Sequence, residues 1–262
     1  MIDIDQTLQK AVQLHTSGNF QDAEIAYKEV LNLMPDHPDA VHFMGVLAYN
    51  VGKNDIAREY IQRAIKLSPD NAACYNNMGN IFQKEEKYSE AIWWYQKTIE
   101  MNPDHKMAHN NLGVAYTKTG KYDEAIGCLN RAVEIDPNYI EALNNLGETL
   151  KYIGEYEKSI EYCERALSID PVCPQSRWNR SILWLLTGDF KQGWQEYEWR
   201  WNRPTTPIRN IEAGKIWNGE DLTGKTIFVY EEQGIGDTIQ FVRYLSLIQK
   251  IGGKVIFEAL PV

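Results

Sequence analysis

Three features of this chain could bind or act on something: a schedule of asparagines, a glycine-rich turn before an apolar stretch, and a segment spelled like a phosphate loop. Asn77, Asn111, Asn145 and Asn179 lie 34 residues apart, with Asn76, Asn110 and Asn144 beside the first three. A carboxamide is donor and acceptor at once, so a column of them facing a groove could pair with the backbone of an extended peptide whatever its sequence. The same amides could instead serve packing between neighbouring elements, and both readings stand at this point. Gln9 and Phe43 occupy the column's first two places, so peptide contact is expected to weaken toward the N-terminus.

The glycine turn is EEQGIGDTIQF, residues 231–241. It comes after a β-type run and opens a helix-type one, so free amides around Gly234, Gly236, Asp237 and Thr238 could meet an anion. Asp237 there is equally suited to cap the helix. Residues 219–226, GEDLTGKT, satisfy the Walker A spelling. A phosphate loop needs a strand before it and a helix after it, whereas this segment runs into a strand and carries Glu220 and Asp221, so that reading is rejected. Cys74, Cys128, Cys163 and Cys173 lack the paired close spacing of a zinc site, and neither a metal nor a cofactor is expected.

The elements that position these residues are written in punctuation. Pro35, Pro69, Pro103, Pro137 and Pro171 are separated by 34 residues each. In the same register run two small columns: Ala11, Gly45, Gly79, Gly113, Gly147 and Ser181, then Ala23, Ala57, Ala91, Ala125, Ser159 and Gly193. A bulky column faces them in Tyr27, Ile61, Tyr95, Leu129, Cys163 and Tyr197. Tiny residues on a fixed schedule mark places where helices cross closely. Each unit reads as two amphipathic helices joined by a glycine turn such as Thr119-Gly120-Lys121 and closed by proline, which lacks an amide donor. The pattern predicts six hairpins, starting at Ile4, Pro38, Ala72, Lys106, Ile140 and Pro174.

Residues 4–203 resemble tetratricopeptide repeats, most clearly in NNMGNIFQKEEKYSEAIWWYQKTIEMNP and NNLGVAYTKTGKYDEAIGCLNRAVEIDP. The resemblance implies an all-α superhelical solenoid whose first helices line a concave groove, and a scaffold that holds a protein or peptide there. The asparagine column resembles that of the O-GlcNAc transferase superhelix. A clamp for a C-terminal carboxylate would need Lys or Arg early in the first helices, where this chain has Asp5, Asp39, Ala73, Met107, Glu141 and Gln175. If the column serves the ligand, Asn111→Ala with Asn145→Ala should lower peptide affinity and leave stability nearly intact.

Tryptophan then crowds the sequence at 178, 184, 194, 199 and 201, with another at 217, and is expected to cement the last hairpin to the adjoining C-terminal segment. Beyond a linker at 204–225, TIFVY (226–230) and KVIFE (254–258) flank an amphipathic stretch and predict a short α/β unit, one βαβ with parallel strands, over 226–262. Residues 188–261, including WNGEDLTGKTIFVYEEQGIGDTIQFVRYLSLIQKIGGKVIFEALP, resemble bacterial tetratricopeptide proteins that carry a heptosyltransferase-like glycosyltransferase domain. That resemblance implies a GT-B, Rossmann-like domain in which Asp237 is the general base near an acceptor hydroxyl. It also implies that the half binding a nucleotide-sugar donor is missing, so the expectation is a truncated enzyme that transfers no sugar. In that alternative the array presents the acceptor. An uncovered parallel sheet also predicts self-association through the βαβ unit.

A net charge of −9, from 27 basic and 36 acidic residues, argues against nucleic acid or an anionic membrane as partner. The opening MIDIDQTLQKAVQLH has acids where a secretory signal has cations, and a cytoplasmic location is expected.

Overall fold

The computed structural model describes residues 3–202, 217, 219–230, 239 and 241–258. The chain divides into two compact units, Met1–Pro207 and Ile208–Val262.

In the first unit twelve α-helices pair into six hairpins: α1 Ile4–Thr16 with α2 Phe20–Leu33, α3 Pro38–Asn50 with α4 Asn54–Leu67, α5 Ala72–Lys84 with α6 Tyr88–Met101, α7 Lys106–Lys118 with α8 Tyr122–Ile135, α9 Ile140–Tyr152 with α10 Tyr156–Ile169, and α11 Pro174–Thr187 with α12 Phe190–Tyr197. A 3-10 turn, Glu198–Asn202, extends the last helix. The odd helices begin on the six residues that the small-residue register marks as repeat starts. Four of their six N-termini are capped by side chains: Asp3, His37, Asn71 and His105 each accept a backbone N–H of the first turn. Each even helix through α10 stops two residues before its scheduled proline. Inside the hairpins the turn needs a left-handed residue, supplied by Gly18, Gly52, Gly120, Gly154 and Gly188; the third hairpin places Glu86 there at φ 60°.

Close approach of the two helices is the packing rule. A β-carbon on Gly79 would sit 2.4 Å from the Tyr95 ring, one on Gly113 2.5 Å from Leu129, and one on Gly45 2.7 Å from Ile61. Tyr27, Ile61, Tyr95, Leu129 and Cys163 are all sealed from solvent against these small residues. In the sixth hairpin the second small column takes over, with Gly193 tight against Leu185. Where the bulky partner shrinks to Cys163, Gly147 has more room, 3.4 Å to the sulfur and 3.3 Å to the Ser159 carbonyl.

A single hairpin cannot cover its own apolar stripe, so the units stack. Each even helix packs on the next odd one, and the odd helices also meet their counterparts in the following hairpin. Even helices show no comparable pairing among the described residues. Elements that draw closer on one side of a stack form the inside of its curve, so the odd helices line the inner face.

The second unit contains a parallel pair, β1 Thr226–Tyr230 and β2 Lys254–Glu258, in register Thr226↔Lys254 through Tyr230↔Glu258. A 3-10 turn, Val242–Tyr244, and α13 Leu245–Lys250 precede β2. The segment spelled like a phosphate loop is a turn feeding β1. Asp221 accepts from the Thr223 amide at 3.0 Å and its hydroxyl at 2.8 Å, and Lys225 Nζ donates to the Asp221 carbonyl at 2.7 Å. Its lysine is held by the turn's own backbone.

The packing rule separates two glycines of the same column. Gly79→Ala is expected to lower the melting temperature, at about 1–3 kcal/mol of overpacking against Tyr95. Gly147→Ala is expected to be near neutral, because about 1 kcal/mol of helix propensity offsets its milder crowding. Parallel thermal unfolding of the two variants checks the contrast. Glu86→Gly removes a left-handed strain of about 1–2 kcal/mol, and after the entropy cost of glycine it should raise stability by roughly 0.5 kcal/mol, measurable by urea unfolding.

Candidate functional site

Of the seven asparagines that the sequence pattern assigns to the inner face, six form one line across three hairpins. Asn76, Asn110 and Asn144 are buried, while Asn77, Asn111, Asn145 and Asn179 are half-buried. Much of their hydrogen bonding runs between hairpins. Asn145 Nδ2 donates to Asn110 Oδ1 at 2.8 Å, Asn111 Nδ2 donates to Asn80 Oδ1 at 3.0 Å and reaches Asn76 Oδ1 at 3.4 Å, and Ser176 Oγ donates to Asn144 Oδ1 at 2.8 Å. Within its own helix Asn110 Nδ2 donates to Asn111 Oδ1 at 3.2 Å. Toward the N-terminus histidines take over as partners: Asn77 Nδ2 lies 2.8 Å from His42 Nε2, and Asn50 Nδ2 2.9 Å from His15 Nε2. The ladder therefore ties each odd helix to the next.

Some capacity is left over. Asn145 Oδ1 is not spent in these bonds, and Asn179 accepts from Gln175 Nε2 at 2.8 Å while its own Nδ2 is enclosed without a partner among the described residues. Overlapping the ladder, the odd helices present an accessible stripe in the same 34-residue register. It reads Ala73, Asn77, Asn80 and Lys84 on α5, Met107, Asn111, Val114 and Lys118 on α7, and Glu141, Asn145, Glu148 and Tyr152 on α9. This spacing of four, three and four is one helix face, and the stripes of successive hairpins lie side by side on the inner surface. An extended chain laid along it would meet apolar positions at Met107 and Val114, cations at Lys84 and Lys118, and carboxylates at Glu141 and Glu148.

A charged cluster in the last hairpin escapes the sequence reading. Glu196, buried, accepts from Arg177 Nη1 at 2.8 Å and from Arg180 Nε and Nη2 at 2.8 and 2.6 Å. The signal is present in the columns: Glu196 stands where earlier hairpins carry Ala26, Tyr60, Trp94, Cys128 and Tyr162, and Arg180 where they carry Met44, Met78, Leu112 and Leu146. The tryptophans surround it. Arg177 lies over Trp199 at 4.4 Å, Arg180 over Trp184 at 4.5 Å, and Trp178 packs on Tyr197 at 4.8 Å. These ring contacts are made within the last hairpin and its 3-10 extension.

Burial pushes the Cys74 and Cys163 thiols up to about 12 and that of Cys128 to about 11, so none is a ready nucleophile. No cluster of three or more metal-type ligands occurs among the described residues, and no described helix is long and apolar enough to cross a membrane. Gly234, Gly236, Asp237 and Thr238 lie outside the described residues.

Two tetratricopeptide repeat models match the chain, one at residues 75–138 and 104–171, the other at 9–72 and 44–99. The helical array belongs to the tetratricopeptide repeat family. A curated relative, Protein FlbA of Caulobacter vibrioides, is 32% identical over 84 residues, which is 32% of this chain and only 14% of FlbA. PilW, described as a widely conserved type IV pilus biogenesis factor, is similar in fold with a TM-score of 0.68 and 19% identity, over 76% of this chain and 91% of that one. YrrB, described as a tetratricopeptide protein with an unusual peptide-binding site, gives 0.51 and 22% identity, over 66% of this chain and 90% of that one. At these identities the structural likeness establishes the fold. The C-terminal resemblance to sugar transferases rests on residues beyond the matched repeats, 9–171.

Two measurements probe this tetratricopeptide array. Burial lowers the pKa of His15, His42 and His105 below 6.5, Asp39 partly opposing the shift at His42 and a backbone hydrogen bond that at His105. The unfolded chain then binds more protons than the native one just below that value. Stability present above pH 6.5 is lost as pH falls through the lower native values, so the melting temperature should drop between pH 7 and pH 5, and His42→Gln should flatten the drop. In the last hairpin, Glu196→Gln leaves two arginines sharing no carboxylate in a largely buried place, and about 3–5 kcal/mol of destabilisation is expected, read by denaturant unfolding.

Proposed function

We propose that this protein is an interaction scaffold whose inner face holds an extended segment of a partner polypeptide. The observation that carries this reading is the accessible stripe on the odd helices, repeated hairpin after hairpin at one register and mixing amide, apolar and charged side chains. An extended peptide is the ligand with matching regularity, because its backbone amides recur at a fixed spacing whatever its side chains. The ladder amides hold this surface in shape, and the unspent carbonyl oxygen of Asn145 supplies a local hydrogen bond to the ligand. The repeat family and the peptide-binding site described for YrrB support the same reading.

Asn145 and Asn111 are poor probes on their own, since removing them also cuts ties between hairpins at about 1 kcal/mol each. Val114 and Met107 lie on the stripe outside the ladder. Peptides selected on the whole chain from a random display library should bind Val114→Glu with Met107→Glu at least about tenfold more weakly, with the melting temperature unchanged. Glu157→Lys, exposed on α10 of the other helix series, should leave affinity as it was. Binding indifferent to Val114 and Met107 would remove the inner face as the site.

The parallel β1–β2 pair supports a second reading, in which the array presents an acceptor to a glycosyltransferase domain and Asp237 is its base. Nucleotide-sugar turnover by a version of the chain extended with a donor-binding half, lost in Asp237→Asn, would favour it over the scaffold.

A further inference from the structure

The bulky column does more than close each hairpin. In the third hairpin the Tyr95 ring passes Gly79 and its hydroxyl donates to Asn80 Oδ1 at 2.9 Å and Gln83 Oε1 at 3.2 Å, so the phenol ends among residues of the inner side. In the first hairpin the Tyr27 hydroxyl likewise reaches His15 Nδ1 at 3.2 Å. The second hairpin has Ile61 at this place, and Val46 and Tyr49 stand where the third has Asn80 and Gln83. Isoleucine ends several atoms short of the position that a tyrosine hydroxyl reaches. A pocket of about 140 Å³ occurs at this place, lined by Gly45, Val46, Tyr49, Ile61, Asn77 and Asn80.

We infer that this pocket is a specificity site for one aromatic side chain, phenylalanine or tyrosine, of a bound extended segment; the inference rests on the scaffold reading for the source of that side chain. Three observations carry it. An apolar cavity of about 150 Å³ accommodates a benzene ring, which matches the volume here. The walls are mixed in the way an aromatic ring with a polar tip requires, with Val46 and Tyr49 as the accessible apolar lining, Ile61 and Ile81 sealed beneath them, and amides of Asn50, Asn77 and Asn80 near it. Asn50 spends its Nδ2 on His15, which leaves its exposed carbonyl oxygen available to a ligand hydroxyl. Lys84, whose Nζ donates to the Tyr49 carbonyl at 3.0 Å and lies 4.5 Å from the Tyr49 ring centre, holds one wall in place. The ligand's ring thus lies beyond Ile61, at the place that the protein's own phenol hydroxyl reaches in the hairpins on either side.

That equivalence supplies the test. The probe is p-cresol, the tyrosine side chain alone, titrated into the full chain while the methyl NMR signals of Val46, Ile61 and Ile81 are followed. Saturable shifts confined to these methyls are expected. Ile61→Tyr should refill the pocket from within and weaken p-cresol at least about tenfold, with no loss of melting temperature. Should that variant not fold, Val46→Phe, at a half-buried wall position, fills the pocket from the opposite side and should have the same effect. No saturable shift in the wild type, or undiminished p-cresol affinity in a folded filling variant, overturns the inference. Because p-cresol is read without any peptide, its failure beside intact peptide capture sinks the pocket alone. Its success beside absent peptide capture sinks the scaffold reading alone.

Discussion

The second, third and fourth hairpins depend on a contact that leaves almost no space: a glycine set against a side chain that fills the room it vacates. Gly79 under Tyr95 and Gly113 under Leu129 would bring a β-carbon inside 2.6 Å of the partner side chain. Helices held that close must meet at nearly the same place and angle each time. Regular stacking follows from it, and with regular stacking comes a surface on which residue columns 34 apart become physical rows. The proposed partner-holding role, the amide ladder and the pocket beside Ile61 all presuppose those rows.

The ladder shows what happens to a polar column once the rows exist. Odd helices that touch across successive hairpins leave little water between them, so a carboxamide there must find a partner or forfeit its hydration. Asn110 with Asn145, Asn76 and Asn80 with Asn111, and Ser176 with Asn144 solve this pairwise. The same bonds that fix the curvature thereby occupy most of the amides that a sequence reading would assign to a ligand. The adjoining stripe, where Met107, Val114 and Lys118 stay accessible, is what the proposed partner would meet.

At the far end the rule changes. Glu196 with Arg177 and Arg180 replaces an apolar contact by a buried ionic one, framed by tryptophans that stack on the guanidinium groups. A buried ion pair seldom adds net stability over a hydrophobic one, but its directionality is high and its disruption is costly. The last hairpin is thus held by oriented charges where the earlier ones are held by shape.

The sequence alone determined the repeat and the parallel β pair. Such information is local and periodic: proline and glycine act within one turn, and Gly45, Gly79 and Gly113 announce the helix crossing because only a missing side chain permits it. Tertiary structure decided what the asparagines do, since whether Asn111 faces a ligand or Asn80 depends on how far apart successive odd helices come to rest. It also decided that a pocket opens beside Ile61, and that the arginines at 177 and 180 converge on one carboxylate 19 and 16 residues away. Those are relations between elements, set by the closest approach of whole helices, and no single column of the sequence contains that distance.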